Sequence, residues 1–185
     1  GTLEPRKNLL TLLKALALII GQSSLRPQLV IAGGEGWLME ESFALIREAS
    51  LADRLCLTGY LGDDELRALY SSCKVFIYPS VYEGFGLPPL EAMACGAAVI
   101  ASRIPALQEI LGSAAHLFEP TDAEALARSI VDLLQDEGRR QKLGSAGKQR
   151  ATDFSWERTA RQTLAVYEKL VKQPARSGAR IQSLL

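Results

Sequence analysis

The chain has 185 residues, 48% of them apolar, and its 21 basic residues balance 21 acidic ones. That much apolar material supports one packed domain and excludes a disordered chain. The neutral balance speaks against nucleic acid as a partner, because nucleic-acid binders carry a basic excess or patch.

The opening GTLEPRKN reads like the end of a strand and a turn, and predicts a piece of a longer protein. NLLTLLKALALII (8–20) predicts a helix apolar over most of its face, with Asn8 as its cap. The run is broken by Lys14 and is too short to cross a bilayer, which takes ~20 residues. QLVIAGG (28–34) is a short β-branched run closed by glycines, and predicts a strand. WLMEESFALIREAS (37–50) carries an amphipathic stripe at Leu38, Phe43, Leu45, Ile46 and Ala49. RLCLTGY (54–60) is a second strand, and DDELRALYSSC (63–73) a helix with an acidic first turn and Leu66, Leu69 and Tyr70 at helical spacing. KVFIYPS (74–80) is a third strand. PPLEAMACG (88–96) predicts a helix with prolines in its first turn and a glycine stop. AAVIAS (97–102) and AAHLFEP (114–120) are two further strands. DAEALARSIVDLLQD (122–136) and SWERTARQTLAVYEKLV (155–171) are long amphipathic helices. Residues 173–185 lose the periodicity and are expected to be a flexible tail.

The strand runs do not alternate apolar and polar residues, as expected of strands covered on both faces. Alternation of such strands with helices predicts an α/β fold, a Rossmann-like three-layer α/β/α sandwich with a mostly parallel sheet. Ligands of such sheets bind beyond the carboxyl ends of the strands. That directs attention to loops 33–37, 59–63, 79–88 and 102–109, and to the opening turn 1–8.

The richest of these is YPSVYEGFGLPPLEAMACG (78–96), where Glu83 and Glu91 flank a Gly/Pro loop. Glycines without Cβ let the backbone approach a ligand, and the helix that follows offers first-turn N–H groups and a positive dipole end to an anion. Glu91 is expected in that first turn. Two acids beside an anion site would oppose phosphate unless they serve hydroxyls, so the ligand should carry both phosphate and polyol, as a sugar nucleotide does. Arg6 and Lys7 in the opening turn are the cations available to the phosphates.

Other features have plainer readings. Cys56, Cys73 and Cys95 form no CxxC pair and, with the single His116, make no zinc set; buried reduced thiols in a cytoplasmic protein are expected. Gly62, Asp63 and Asp64 fit a helix start better than a metal site. GGEG (33–36) lacks the full dinucleotide fingerprint, which weighs against a nicotinamide dehydrogenase. His116 is expected to be a satisfied structural residue, and Trp37 and Trp156 to anchor packing.

PSVYEGFGLPPLEAMACG resembles the Glu-x7-Glu motif of retaining glycosyltransferases with the two-domain GT-B fold, in the large group 1 family that includes bacterial mannosyl- and glucosyltransferases. GTLEPRKNLLTLLKAL, LVIAGGEGW, LCLTGYLGDDELRALYSSCKVFIYPS, AAVIASRIPALQEILGSAAHLFEPTDAEALARSI and ATDFSW are similar to that family in the same order, so the resemblance runs to about residue 171. It implies that residues 1–172 are the nucleotide-sugar (donor) binding domain, the C-terminal half of the fold, and that an N-terminal acceptor domain is absent from this chain. Glu91 would then bind the ribose hydroxyls and Glu83 the transferred sugar. The backbone of Gly84, Phe85, Gly86 and Leu87 would line sugar and diphosphate. Lys7, with Arg6, would neutralise the diphosphate, and Thr58, Gly59, Tyr60 and Leu61 would hold the base. The resemblance implies no metal and no cofactor beyond the donor. GDP-mannose is the first expectation for that donor and a UDP-sugar the second. The fragment alone would bind nucleotide and transfer nothing. Thr2 stands where many relatives have arginine, and Arg6 is the candidate replacement; Leu107, Gln108 and Glu109 stand where many read Leu-Pro-Glu. The resemblance implies a cytoplasmic location and leaves peripheral membrane association of the longer protein open. A non-catalytic nucleotide-sugar binding module of the same fold is the alternative reading, opposed by intact Glu83, Glu91 and Lys7.

Overall fold

A computed structural model of the chain describes residues 1–34, 36, 40–48 and 51–172. Trp37, Leu38, Ala49, the side chain of Phe43 and the expected tail 173–185 lie outside the described residues. The chain divides into two compact units, residues 1–151 and residues 152–185.

All five expected strands form in the first unit, each shorter than its apolar run. β1 (Leu29–Ala32) pairs in parallel with β2 (Leu55–Gly59), Leu29 opposite Leu55. β3 (Phe76–Tyr78), β4 (Val99–Ser102) and β5 (His116–Phe118) form a second parallel set in that order, with Ile100 opposite both Ile77 and His116. The opening residues tie into both sets. The Gly1 amino group and the Leu3 N–H donate to the carbonyls of Ala32 and Gly34, and the Val81 N–H donates to the carbonyl of Arg6. β4 is buried along its whole length, as expected of an apolar run without alternation, whereas Val30 of β1 and Cys56 and Leu57 of β2 are exposed, against that expectation.

α1 (Leu9–Gln22) and α6 (Ala123–Gln135) supply most of the core. Leu12, Leu13, Leu16 and Ile19 of the first cluster with Leu126, Ile130 and Leu133 of the second, around Ile100 and Phe118 of the sheet. α2 (Glu40–Glu48), α3 (Asp63–Ser72) and α4 (Leu87–Ala94) follow their expected patterns. Glu65 reaches back to the Gly62 N–H at 3.0 Å, so Gly62–Glu65 is a helix start, as expected. Asn8 is the residue before α1, as expected, but its Oδ1 accepts from the Thr11 hydroxyl at 2.7 Å and from no backbone N–H of the helix. It lies in the left-handed region (φ 55°), and its amide donates to the carbonyls of Pro79 (3.0 Å) and Pro120 (2.7 Å). It thus fastens the opening turn to the ends of β3 and β5.

Two helices were not anticipated. α5 (Pro105–Leu111) occupies what reads as a loop after β4 and buries Leu107, Ile110 and Leu111. α7 (Glu137–Ala151) is polar and has little apolar periodicity, because the residues it buries against its neighbours are Gly144 and Gly147. It packs on α4 so closely that a Cβ on Gly144 would lie 2.3 Å from the Gly96 carbonyl oxygen, and one on Gly147 3.0 Å from Met93 Cγ. Gly144→Ala is therefore expected to destabilise the domain by about 1–3 kcal/mol through overpacking, outweighing the ~1 kcal/mol that alanine gains in a helix. Thermal unfolding reads the difference against exposed Gly138→Ala, which should be neutral or stabilising.

His116 accepts or donates to Ser129 Oγ at 2.8 Å, and burial holds its pKa below the ordinary value, as expected of a structural histidine. The cysteines differ from expectation: Cys56 is exposed and Cys73 and Cys95 are half-buried, all three as free thiols. In the second unit α8 (Trp156–Lys172) is amphipathic but buries no residue, and Trp156 is 77% exposed instead of packed. No described helix is long and apolar enough to cross a membrane.

Candidate functional site

The ends of β3 and the opening turn meet at Glu83. A tight turn over Pro5–Lys7, held by the Val81–Arg6 backbone bond, aims both cations at the loop after β3. Glu83 Oε1 accepts from Lys7 Nζ at 2.6 Å and from Tyr78 OH at 2.8 Å, and pairs with Arg6 Nη1 at 2.9 Å. Lys7 also donates to Tyr78 OH at 2.7 Å and lies 4.8 Å from the centre of its ring. Arg6 Nε reaches Glu4 Oε1 at 2.5 Å. Burial alone would raise the Glu83 pKa, but the hydrogen bonds from Lys7 and Tyr78 hold it below the usual carboxylate range. Burial, together with the bond to Glu83, pushes the Tyr78 hydroxyl far up, so it stays protonated.

The loop then turns into α4 through Gly86, which adopts φ +106° as the residue preceding the helix. Only glycine enters this region cheaply. A Cβ here would also meet Leu107 Cδ2 at 2.5 Å, so α5 closes the underside of the loop. The helix starts at Leu87, one residue earlier than expected, with Pro88 and Pro89 next. Prolines carry no N–H, so two of the four donors ordinarily free at a helix start are missing. An anion at this end would depend on the N–H groups of Gly86 and Leu87 and on the loop backbone before them. Glu91, expected in the first turn, instead lies one turn into the helix, and the first turn holds no acid. Dipole complementation therefore does not account for it.

Glu91 is exposed, and its Oε2 accepts from Tyr70 OH of α3 at 3.1 Å. Thr58–Leu61 follow β2, where Gly59 (φ +69°) accepts from the Gly33 N–H at 2.9 Å and Tyr60 is 86% exposed. Thr2, at the position where many relatives have arginine, is exposed, while Arg6 makes the ion pair with Glu83. The structure thus brings Arg6, Lys7 and Glu83 into direct contact. It sets Gly84–Leu87 between Glu83 and Glu91, and places Thr58–Leu61 at the end of β2, which pairs with β1 in the other parallel set. Tyr70, Tyr78 and Glu4 were not singled out from the sequence. The one signal available was that a tyrosine ending a buried strand, or on a buried helix stripe, must find an acceptor for its hydroxyl.

The model of the family described as "Glycosyl transferases group 1" matches residues 1–150, ending within a residue of the first unit. The chain belongs to the group 1 glycosyltransferases. It is 38% identical over 170 residues to the Escherichia coli O-antigen chain mannosyltransferase B, covering 92% of this chain and 45% of that protein. It is 42% identical over 135 residues to an MMP alpha-(1->4)-mannosyltransferase of Mycolicibacterium hassiacum, covering 71% and 33%. Among solved structures, the sucrose-phosphate synthase of Thermosynechococcus elongatus superposes with a TM-score of 0.80 at 35% identity, over 91% of this chain and 43% of that one. Anabaena HepE in complex with UDP and glucose superposes at 0.79 and 24% identity, over 94% and 47%, a likeness of fold. Group 1 glycosyltransferases of the GT-B fold are thus the neighbours of this domain, and mannosyltransferases are prominent among its relatives. The chain spans less than half the length of these relatives.

Proposed function

We propose that this domain binds the nucleotide-sugar donor of a retaining hexosyltransferase, with GDP-mannose the first choice and a UDP-sugar the second. The observation that carries this reading is the cluster of Lys7, Arg6, Tyr78 and Glu83 at the mouth of the Gly84–Leu87 loop. Lys7 has three N–H donors, and Tyr78 and Glu83 take two of them. The third serves a phosphate oxygen of the donor. Arg6, fixed by Glu4 and Glu83, adds positive charge without leaving its acids.

Glu83, ionised and fixed by three donors, keeps acceptor capacity for the hydroxyls of the transferred sugar. Glu91 accepts from the ribose hydroxyls one helical turn away. The loop backbone lines sugar and diphosphate, and the backbone of Thr58–Leu61 holds the base. In the reaction the sugar–phosphate bond breaks and the acceptor oxygen bonds to the same sugar carbon, with the charge that develops on the leaving diphosphate stabilised by Lys7 and Arg6. Two protein cations at this position suit a metal-independent departure. Glu83 orients the sugar and is not assigned as nucleophile. The acceptor side belongs to an N-terminal domain of the longer enzyme, so this domain alone binds nucleotide and transfers nothing. A cytoplasmic location and a role in polysaccharide synthesis accord with O-antigen enzymes among the relatives.

Calorimetric titration of the chain with GDP, UDP and ADP, repeated on Glu91→Ala, tests the reading. Selective binding of one diphosphate, at least tenfold weaker in the variant, is the expected result. Equal affinity of wild type and variant for every nucleotide removes Glu91 from the site and with it the donor reading.

A further inference from the structure

We propose that Tyr70 is a positioning residue that sets the ribose preference of this domain by orienting Glu91. The proposal rests on the donor-site reading above and names a residue which that reading does not use.

Tyr70 lies near the end of α3, only 7% exposed, and its hydroxyl donates to Glu91 Oε2 at 3.1 Å. Its ring is held edge-on by Phe76 of β3 at 5.3 Å and 81°, and Phe76 stacks in turn on Tyr78 at 6.2 Å and 20°. Three aromatic rings therefore link the two acids, with Tyr70 donating to Glu91 at one end and Tyr78 donating to Glu83 at the other. A buried ring packed edge-on against another has few rotamers, so its hydroxyl is a fixed point.

Glu91 needs such a point. It is exposed, and a solvated glutamate on a helix surface samples several rotamers of a long side chain. The Tyr70 hydroxyl occupies Oε2 and fixes the carboxylate plane, while Oε1 accepts no hydrogen bond from the described residues. Adjacent ribose hydroxyls can then use Oε1 and the second lone pair of Oε2. Burial, reinforced by the negative charge of Glu91, raises the Tyr70 pKa far above the ordinary value, so the hydroxyl donates throughout the physiological range. Without it the carboxylate remains, but each binding event must first order it, and the preference for ribose weakens.

The test compares GDP with 2′,3′-dideoxy-GDP, or the UDP pair if UDP binds more tightly, in calorimetry on the 185-residue chain, its Tyr70→Phe and Glu91→Ala variants, and the double variant. Wild type should prefer the ribonucleotide at least tenfold. Tyr70→Phe should cut that preference about fivefold, with dideoxynucleotide affinity and thermal midpoint unchanged. Added to Glu91→Ala, it should cut nothing further. A loss of both affinities in parallel, or a preference retained in Tyr70→Phe, overturns the positioning role. A preference retained in Glu91→Ala, or absent from wild type, overturns the ribose reading of Glu91 and the proposal together.

Discussion

Lys7→Met is expected to weaken GDP binding about 10- to 100-fold, the ~1.5–3 kcal/mol of a hydrogen bond to a charged group, and to leave the affinity for guanosine unchanged. Lys7 keeps a third N–H donor beyond those used on Tyr78 and Glu83. Arg6 does not replace it: its Nη2 is in neither ion pair, but the pairs of Nε with Glu4 and Nη1 with Glu83 hold the guanidinium away from the position of the Lys7 ammonium. Lys7→Arg should not restore binding either. The ammonium sits 2.7 Å from the Tyr78 oxygen and 2.6 Å from Glu83, a compact position that a planar guanidinium cannot fill with the same contacts. Parallel loss of guanosine and GDP affinity would show a collapsed pocket instead of a missing phosphate contact.

The same substitution has a pH signature. The folded pKa of Glu83 lies below its unfolded value, so its ionised form favours the folded state above the ordinary carboxylate range. That contribution is lost as the pH falls through the lowered folded value. Lys7 is the first of the hydrogen-bond donors holding the value down. Lys7→Met should therefore lose less stability than wild type as the pH is taken below about 5, even though it starts from a lower stability at neutral pH. Denaturant unfolding at pH 7 and at pH 4 measures both. A steeper acid loss in the variant would mean that Glu83 is not stabilised by Lys7.

Where the sequence was readable, the reason lies in burial. β4 is covered on both faces and so is written as uninterrupted apolar residues, and α6 has one core face and so carries Leu126, Ile130 and Leu133 at helical spacing. α7 was illegible because its close approach to α4 is made through Gly144 and Gly147, and glycine reads as a breaker when its packing role is out of view. α5 reads as loop in the sequence because seven residues starting at a proline give too short a period to recognise. At the site, Glu83, Glu91, Arg6 and Lys7 stood out as charges beside glycines. That Glu83 is shared by Lys7, Arg6 and Tyr78 could not be read, because the turn at Pro5–Lys7 and the end of β3 lie some seventy residues apart in sequence. Asn8 is the same case: its residue type points to a helix cap, and its Oδ1 does face α1 through Thr11, but the bonds of its amide nitrogen to Pro79 and Pro120 join segments far apart in sequence.

Gly86→Ala joins a backbone penalty to a steric one at a single position. At φ +106° an alanine is strained by roughly 1–2 kcal/mol, the cost of left-handed backbone for an L-residue. Its Cβ also meets Leu107 Cδ2 at 2.5 Å. Leu107 is fully buried, so its methyl has no solvent to move into, and overpacking of this kind costs about 1–3 kcal/mol. The expected destabilisation is the sum, about 2–5 kcal/mol, accompanied by weaker nucleotide binding because the loop before α4 must shift. Gly84→Ala, in the same loop, meets nothing within 4 Å and has no positive φ. It should stay within ~0.5 kcal/mol of wild type. The two penalties can be separated by combining Gly86→Ala with Leu107→Ala. Leu107→Ala alone is expected to cost about 2–5 kcal/mol, yet the double variant should fall short of the sum of the singles by about 1–3 kcal/mol, since the truncated side chain no longer opposes the new Cβ. What persists in the double variant beyond Leu107→Ala is the backbone term. Strict additivity would remove Leu107 as the floor of the loop, and a Gly86→Ala chain as stable as Gly84→Ala would show that the loop can reach α4 by another backbone path.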